Sequence, residues 1–79
     1  MSNIDKLNLA FAQTLQIETT LVTDNLCYNA ISEWDSVGHM ALIAALEEAF
    51  GVMLDTDDII DITSVAQAKT ILAKYDVTF

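Results

Sequence analysis

Asp35-Ser36-Val37 sets a carboxylate beside a hydroxyl at the point where a helical period begins. A short acidic side chain there can accept from the free backbone N–H groups of the first turn, and the serine stands at the positive end of the helix dipole. A phosphate attached to Ser36 would be stabilised. Other chemistries fit the same residues poorly. Ser36, His39 and an acid suggest a hydrolase, but a nucleophile elbow needs glycine two residues before the serine, where this chain has Trp34. Asp55-Thr56-Asp57-Asp58 suggests a calcium loop. Counted from Asp55, however, the fifth, sixth and twelfth positions are Ile59, Ile60 and Ala66, where an acid or amide, a glycine and a glutamate are required.

Four helical stretches account for the chain around these residues. The first follows Ser2, which has capping-box spacing to Asp5, and carries Ile4, Leu7, Phe11 and Leu15 as an apolar stripe. From about Ile17 to Trp34 no helical period persists, which predicts a long ordered loop held by Leu21, Leu26 and Ile31. The second helix runs from Ser36 to Phe50. His39, Leu42, Ile43, Leu46 and Phe50 share its inner face, Val37, Met40, Ala44, Glu47 and Glu48 its outer one, and Gly51 suits the left-handed residue that stops it. A short turn around Asp57 to Asp61 is anchored by Ile59, Ile60 and Ile62. The last helix opens at Thr63 or Ser64, buries Val65, Ala68, Ile71 and Leu72, and carries Lys69 and Lys74 toward its C-terminal half. The expected fold is all-α, a small four-helix bundle of three main helices and one short one, as a single domain over residues 1–79.

Composition excludes several function classes. With 79 residues, no proline and 53% hydrophobic residues, the chain lies near the lower size limit for independent folding. Twelve acids against three lysines give a net charge of −9, and no Lys or Arg lies between Leu7 and Ala68. Such a surface repels nucleic acid and attracts cations or basic proteins. The longest apolar run, Met40 to Leu46, is far short of the roughly 20 residues that cross a bilayer. Polar Ser2, Asn3 and Asp5 depart from a signal peptide, so a cytoplasmic monomer without a membrane partner is expected. Cys27, the lone cysteine, can form no internal disulfide and is expected to be a small buried hydrophobe.

From Glu33 to Asp58 the sequence EWDSVGHMALIAALEEAFGVMLDTDD resembles an acyl carrier protein or a carrier domain of the polyketide and non-ribosomal peptide type. The resemblance rests on Asp35-Ser36-Val37, the acidic Ala45-Leu46-Glu47-Glu48, the Phe50-Gly51 stop, the acidic run at 55–58 and Thr63-Ser64-Val65. It implies a non-enzymatic carrier with 4′-phosphopantetheine on Ser36, attached from coenzyme A by a phosphopantetheinyl transferase. Acyl or aminoacyl groups would then travel as thioesters between loading and processing enzymes. Asp35 would cap the helix beside the site, and Val37, Met40, Glu47 and Glu48 would form an exposed docking face. In the fatty-acid pattern a glycine precedes D-S-L and acids follow within two turns. This chain has Ser32-Glu33-Trp34 before Asp35, then Gly38, His39 and Ala41, which suggests a dedicated carrier in a specialised pathway. The alternative is an acidic helical interaction module without a prosthetic group. His39 is expected to pack and hydrogen-bond rather than touch cargo, and Trp34 to cover the loop junction.

Overall fold

A computed structural model describes residues 2–79. Among them are four α-helices and no strand: α1 (Asn3–Leu15), α2 (Ser36–Phe50), α3 (Thr56–Asp61) and α4 (Val65–Ala73). Local signals in the sequence set their ends. The Ser2 and Ser64 hydroxyls accept from the backbone N–H groups of Asp5 and Gln67, at 3.2 and 3.0 Å. Each satisfies one donor that the first turn leaves unpaired. Gly51, at φ 63°, stops α2 and returns its N–H to the Glu47 carbonyl, the left-handed ending that glycine adopts without a Cβ clash.

The three longer helices close around one core in which Leu7, Phe11, Leu15, Trp34, Leu42, Leu46 and Leu72 are almost wholly buried. Ile4, expected on the apolar stripe, is exposed; the first turn of α1 instead meets the C-terminal tail through a polar contact, Asn3 Nδ2 to the Thr78 carbonyl at 2.9 Å. Burial of the stripe therefore starts at Leu7. His39 and Phe50 stand half-buried at either end of the inner face of α2.

The long loop is ordered by pairing with the start of α4. Tyr28 N–H donates to the Thr63 carbonyl at 2.9 Å and Val65 N–H to the Leu26 carbonyl at 3.0 Å, an isolated antiparallel bridge centred on Cys27 and Ser64. Alternation along this extended segment corrects the reading of Cys27: Leu26 points into the core, so Cys27 points to solvent as an exposed free thiol. Leu21 is likewise exposed, because a 3₁₀ turn at Thr19–Leu21 rotates it outward and Val22 takes the core position. The ion pair Lys69–Asp24, at 2.7 Å, adds a second tie between loop and α4.

α3 departs most from expectation. Ile59 is half-buried and Ile62 buried, but Ile60 is exposed, and the inward residue of the first turn is Asp58. Its carboxylate accepts from Lys74 Nζ at 2.6 Å and from the Tyr75 hydroxyl at 2.5 Å. Six residues hold little helix by themselves, so these polar ties replace the apolar anchor that Ile60 does not supply.

Candidate functional site

The N-terminus of α2 is framed from beneath and open from above. Asp35 Oδ1 accepts from Gly38 N–H at 2.8 Å, and the Asp35 carbonyl accepts from His39 N–H at 2.7 Å. Position in the helix leaves the N–H groups of Ser36 and Val37 without a carbonyl one turn back within the helix. Ser36 is exposed, at the first helical position, as the sequence predicts.

Why the chain reaches Ser36 at this angle is explained by Gly38. A Cβ on Gly38 would lie 2.3 Å from the Glu33 carbonyl oxygen, so the segment 33–35 folds across the first turn of α2 in direct backbone contact. Sequence reasoning did not identify this role. Its signal was there: glycine inside a helix costs about 1 kcal/mol relative to alanine, so its presence calls for a packing reason.

The same fold-over buries Trp34 completely. Its ring meets Phe11 edge-on at 5.3 Å between centroids and lies nearly parallel to His39 at 6.3 Å and 16°. Trp34 Nε1–H donates to His39 Nδ1 at 3.0 Å, and His39 Nε2 stands 2.9 Å from the Ile59 carbonyl. Because Nδ1 accepts, Nε2 carries the proton and donates to Ile59. His39 and Trp34 thus fill the packing and covering roles expected of them, and they also reach α3.

Between α2 and α3 a mostly apolar recess of about 270 Å³ opens beside Ser36, lined by Ser36, His39 and Met40 on one side, Ile59 and Ile60 on the other, and Tyr28. A larger recess of about 490 Å³ between α1 and α2 is lined by Lys6, Leu9, Ala45 and Glu48 among others and does not reach Ser36.

The expected docking residues are placed unequally. Val37 and Met40 are 78% and 59% exposed beside Ser36, and Glu48 is exposed. Glu47 is corrected: it is half-buried, and its carboxylate accepts from Leu54 N–H at 2.9 Å. The turn at Gly51 brings the chain back under the end of α2 and leaves the Leu54 donor in need of an acceptor, which Glu47 supplies. Ile60, 66% exposed on α3, lies across the recess from Met40 and was not expected on this face.

The Asp58 ties also shape the electrostatics below the site. Hydrogen bonding from Lys74, then from Tyr75, holds the Asp58 carboxyl below its ordinary range, against the opposing effect of burial. The same contacts raise Lys74 and Tyr75, each through its bond to Asp58.

A family model described as "Phosphopantetheine attachment site" matches residues 6–72. The chain belongs to this family. No match to a curated protein reaches significance. Members of the phosphopantetheine-binding family carry a covalently attached 4′-phosphopantetheine, and the chain is therefore a phosphopantetheine-carrying carrier protein. The residues at the start of α2 suit the group: an exposed hydroxyl, a helix N-terminus facing outward and an adjoining recess. Among the described residues no helix is long and apolar enough to cross a membrane.

Proposed function

We infer that Ser36 is the attachment residue and that the protein performs no reaction of its own, serving as a carrier in a specialised biosynthetic pathway. The observation that supports this most directly is the exposed Ser36 hydroxyl at the first position of a capped helix within the span matched by the family. Transfer from coenzyme A replaces the hydroxyl proton of Ser36 with the phosphopantetheinyl group and frees the nucleotide half of the donor. The attached arm supplies a thiol on which acyl or aminoacyl groups are held as thioesters. Asp35 holds the first turn in register, and the helix dipole stabilises the new negative charge. Gly38, His39 and Ala41, within the two turns after the serine where the fatty-acid pattern has acids, favour a dedicated carrier over a housekeeping one.

The transferase and the acyl-processing enzymes dock around Ser36, on the rim of the recess at Met40 and on exposed Val37 beside the serine for apolar contact, while exposed Glu48, further along α2 and away from the recess, attracts basic side chains. Ile60 extends that rim onto α3. Intact mass before and after incubation with a phosphopantetheinyl transferase and coenzyme A tests the reading. The protein should gain one phosphopantetheinyl group. No gain would leave an unmodified helical interaction module.

A further inference from the structure

The Ile59 carbonyl is one of the last of α3, where a helix runs out of its own N–H partners. Its natural partner four residues on, the Thr63 N–H, is turned to the Asp61 carbonyl at 2.8 Å instead. The donor that satisfies Ile59 comes from another helix: His39 Nε2, at 2.9 Å, one turn along α2 from Ser36. Histidine at a helix C-terminus can bond such carbonyls. Here the capping histidine belongs to the site helix itself.

α3 is thus held on two sides by polar groups, Lys74 and Tyr75 from the α4 side and His39 from the α2 side. Ile59 and Ile60 form the far wall of the recess beside Ser36, so whatever fixes Ile59 also fixes the distance between that wall and the serine. The His39 ring is itself fixed by Trp34, which is fully buried and cannot turn away. We propose that His39 is a positioning residue for phosphopantetheine transfer: by capping α3 it holds the Ile59-Ile60 wall in the place the transferase engages. This rests on Ser36 being the attachment residue.

Two substitutions divide the two bonds of His39. In His39→Asn the side-chain oxygen stands near the place of Nδ1 and can still accept from Trp34, but the side chain is too short to reach Ile59. In His39→Gln the terminal amide stands near the place of Nε2 and can still donate to Ile59, while Trp34 loses its acceptor. Transferase kinetics on the purified apo-protein, with hydrogen exchange of the α3 amides measured in parallel, give the readout. His39→Asn should lower kcat/KM by about tenfold, chiefly through KM, with faster exchange in α3. His39→Gln should stay within about twofold of the parent. Equal losses, equal retention, or better loading by His39→Asn than by His39→Gln would each overturn the proposal, because the Trp34 contact or neither contact would then govern. Lys74→Met supplies an arm that leaves α2 and Trp34 untouched. It loosens α3 from the other side and should raise KM as His39→Asn does; faster α3 exchange with normal loading would overturn the proposal too. Ser36→Ala, carried alongside, separates the two readings: if that variant still gains mass, the attachment assignment fails, while the exchange data still report on the cap.

Discussion

Asp35-Ser36 and Asp55-Thr56 are the same pair of side-chain types at two helix starts, and the fold gives them different surroundings. At α2 the aspartate accepts from the third residue of the helix, the first turn contains no other acid, and the hydroxyl residue is exposed above an apolar recess. At α3 Asp55 makes no side-chain cap, and Asp57 and Asp58 already occupy the first turn. A helix dipole carries only about half a unit of positive charge, so one attached phosphate is stabilised at α2 whereas at α3 it would meet two carboxylates. The comparison teaches that an aspartate followed by a hydroxyl residue at a helix start does not by itself make a place for a phosphate. What sets the α2 start apart is the charge left unanswered by its first turn and the recess that adjoins it.

The largest expected effect breaks that comparison at its centre. Ser36→Ala should abolish mass gain with coenzyme A while the melting temperature stays close to the parent's, since Asp35 still caps the helix. Adding Thr56→Ser to that variant should restore nothing. Loading of the double variant, read by intact mass, would mean that any serine following an aspartate at a helix start suffices.

Next in size is Gly38→Ala. Helix propensity alone would favour alanine by about 1 kcal/mol. Against this stands a Cβ only 2.3 Å from the Glu33 carbonyl, a backbone atom that cannot swing aside. Overpacking of this kind costs about 1–3 kcal/mol, and with backbone as the obstacle the upper part of that range applies. Denaturant unfolding should therefore show net destabilisation, with slower loading because Asp35 and Ser36 shift together. A gain in stability would remove the close approach as the reason for this glycine.

A smaller effect contrasts the two neighbouring acids near the end of α2. Glu47→Ala removes the acceptor of Leu54 N–H and should cost about 1 kcal/mol, whereas Glu48→Ala should stay within about 0.5 kcal/mol. Glu48→Lys should instead slow loading at low salt and lose most of that effect at high salt. Equal unfolding midpoints for the two alanine variants would free Glu47 for a partner after all.

The smallest effect sharpens the α3 side. Asp58 is lowered from an ordinary 3.8, so its contribution is present above that value and is lost as pH falls through the folded-state value. Lys74 and Tyr75 are raised from 10.5 and 10.0, so theirs is present below those values and is lost as pH rises through the folded-state ones. The stability difference between the parent and Asp58→Asn should accordingly form a plateau between these limits and shrink at both ends. A difference independent of pH would show that packing of Asp58, and not its charge, matters.

What was legible in the sequence follows from the range of the signals. Asp35, Ser2, Ser64 and Gly51 act over three or four residues, and each residue type advertises its backbone role, so the helix ends and the exposed Ser36 could be read directly. His39 to Ile59 spans 20 residues, Lys74 to Asp58 16, and Lys69 to Asp24 45, and nothing in the chain's periodicity couples them. The misplacement of Ile60 has the same origin. Three isoleucines in four positions look like an anchor, until a lysine and a tyrosine from beyond the next helix draw Asp58 inward in place of one of them. Cys27 was misread because its neighbours form an extended bridge, in which every second side chain must leave the core.

Trp34 is the only tryptophan in the chain, and it is buried where loop, α2 and, through His39, α3 meet. The tryptophan emission of the protein therefore comes from one indole whose hydrogen bond runs to the ring that caps α3. Emission wavelength and quenching by a soluble agent would report the opening of that junction without any label, and the same cuvette could follow transferase binding and arm attachment in real time.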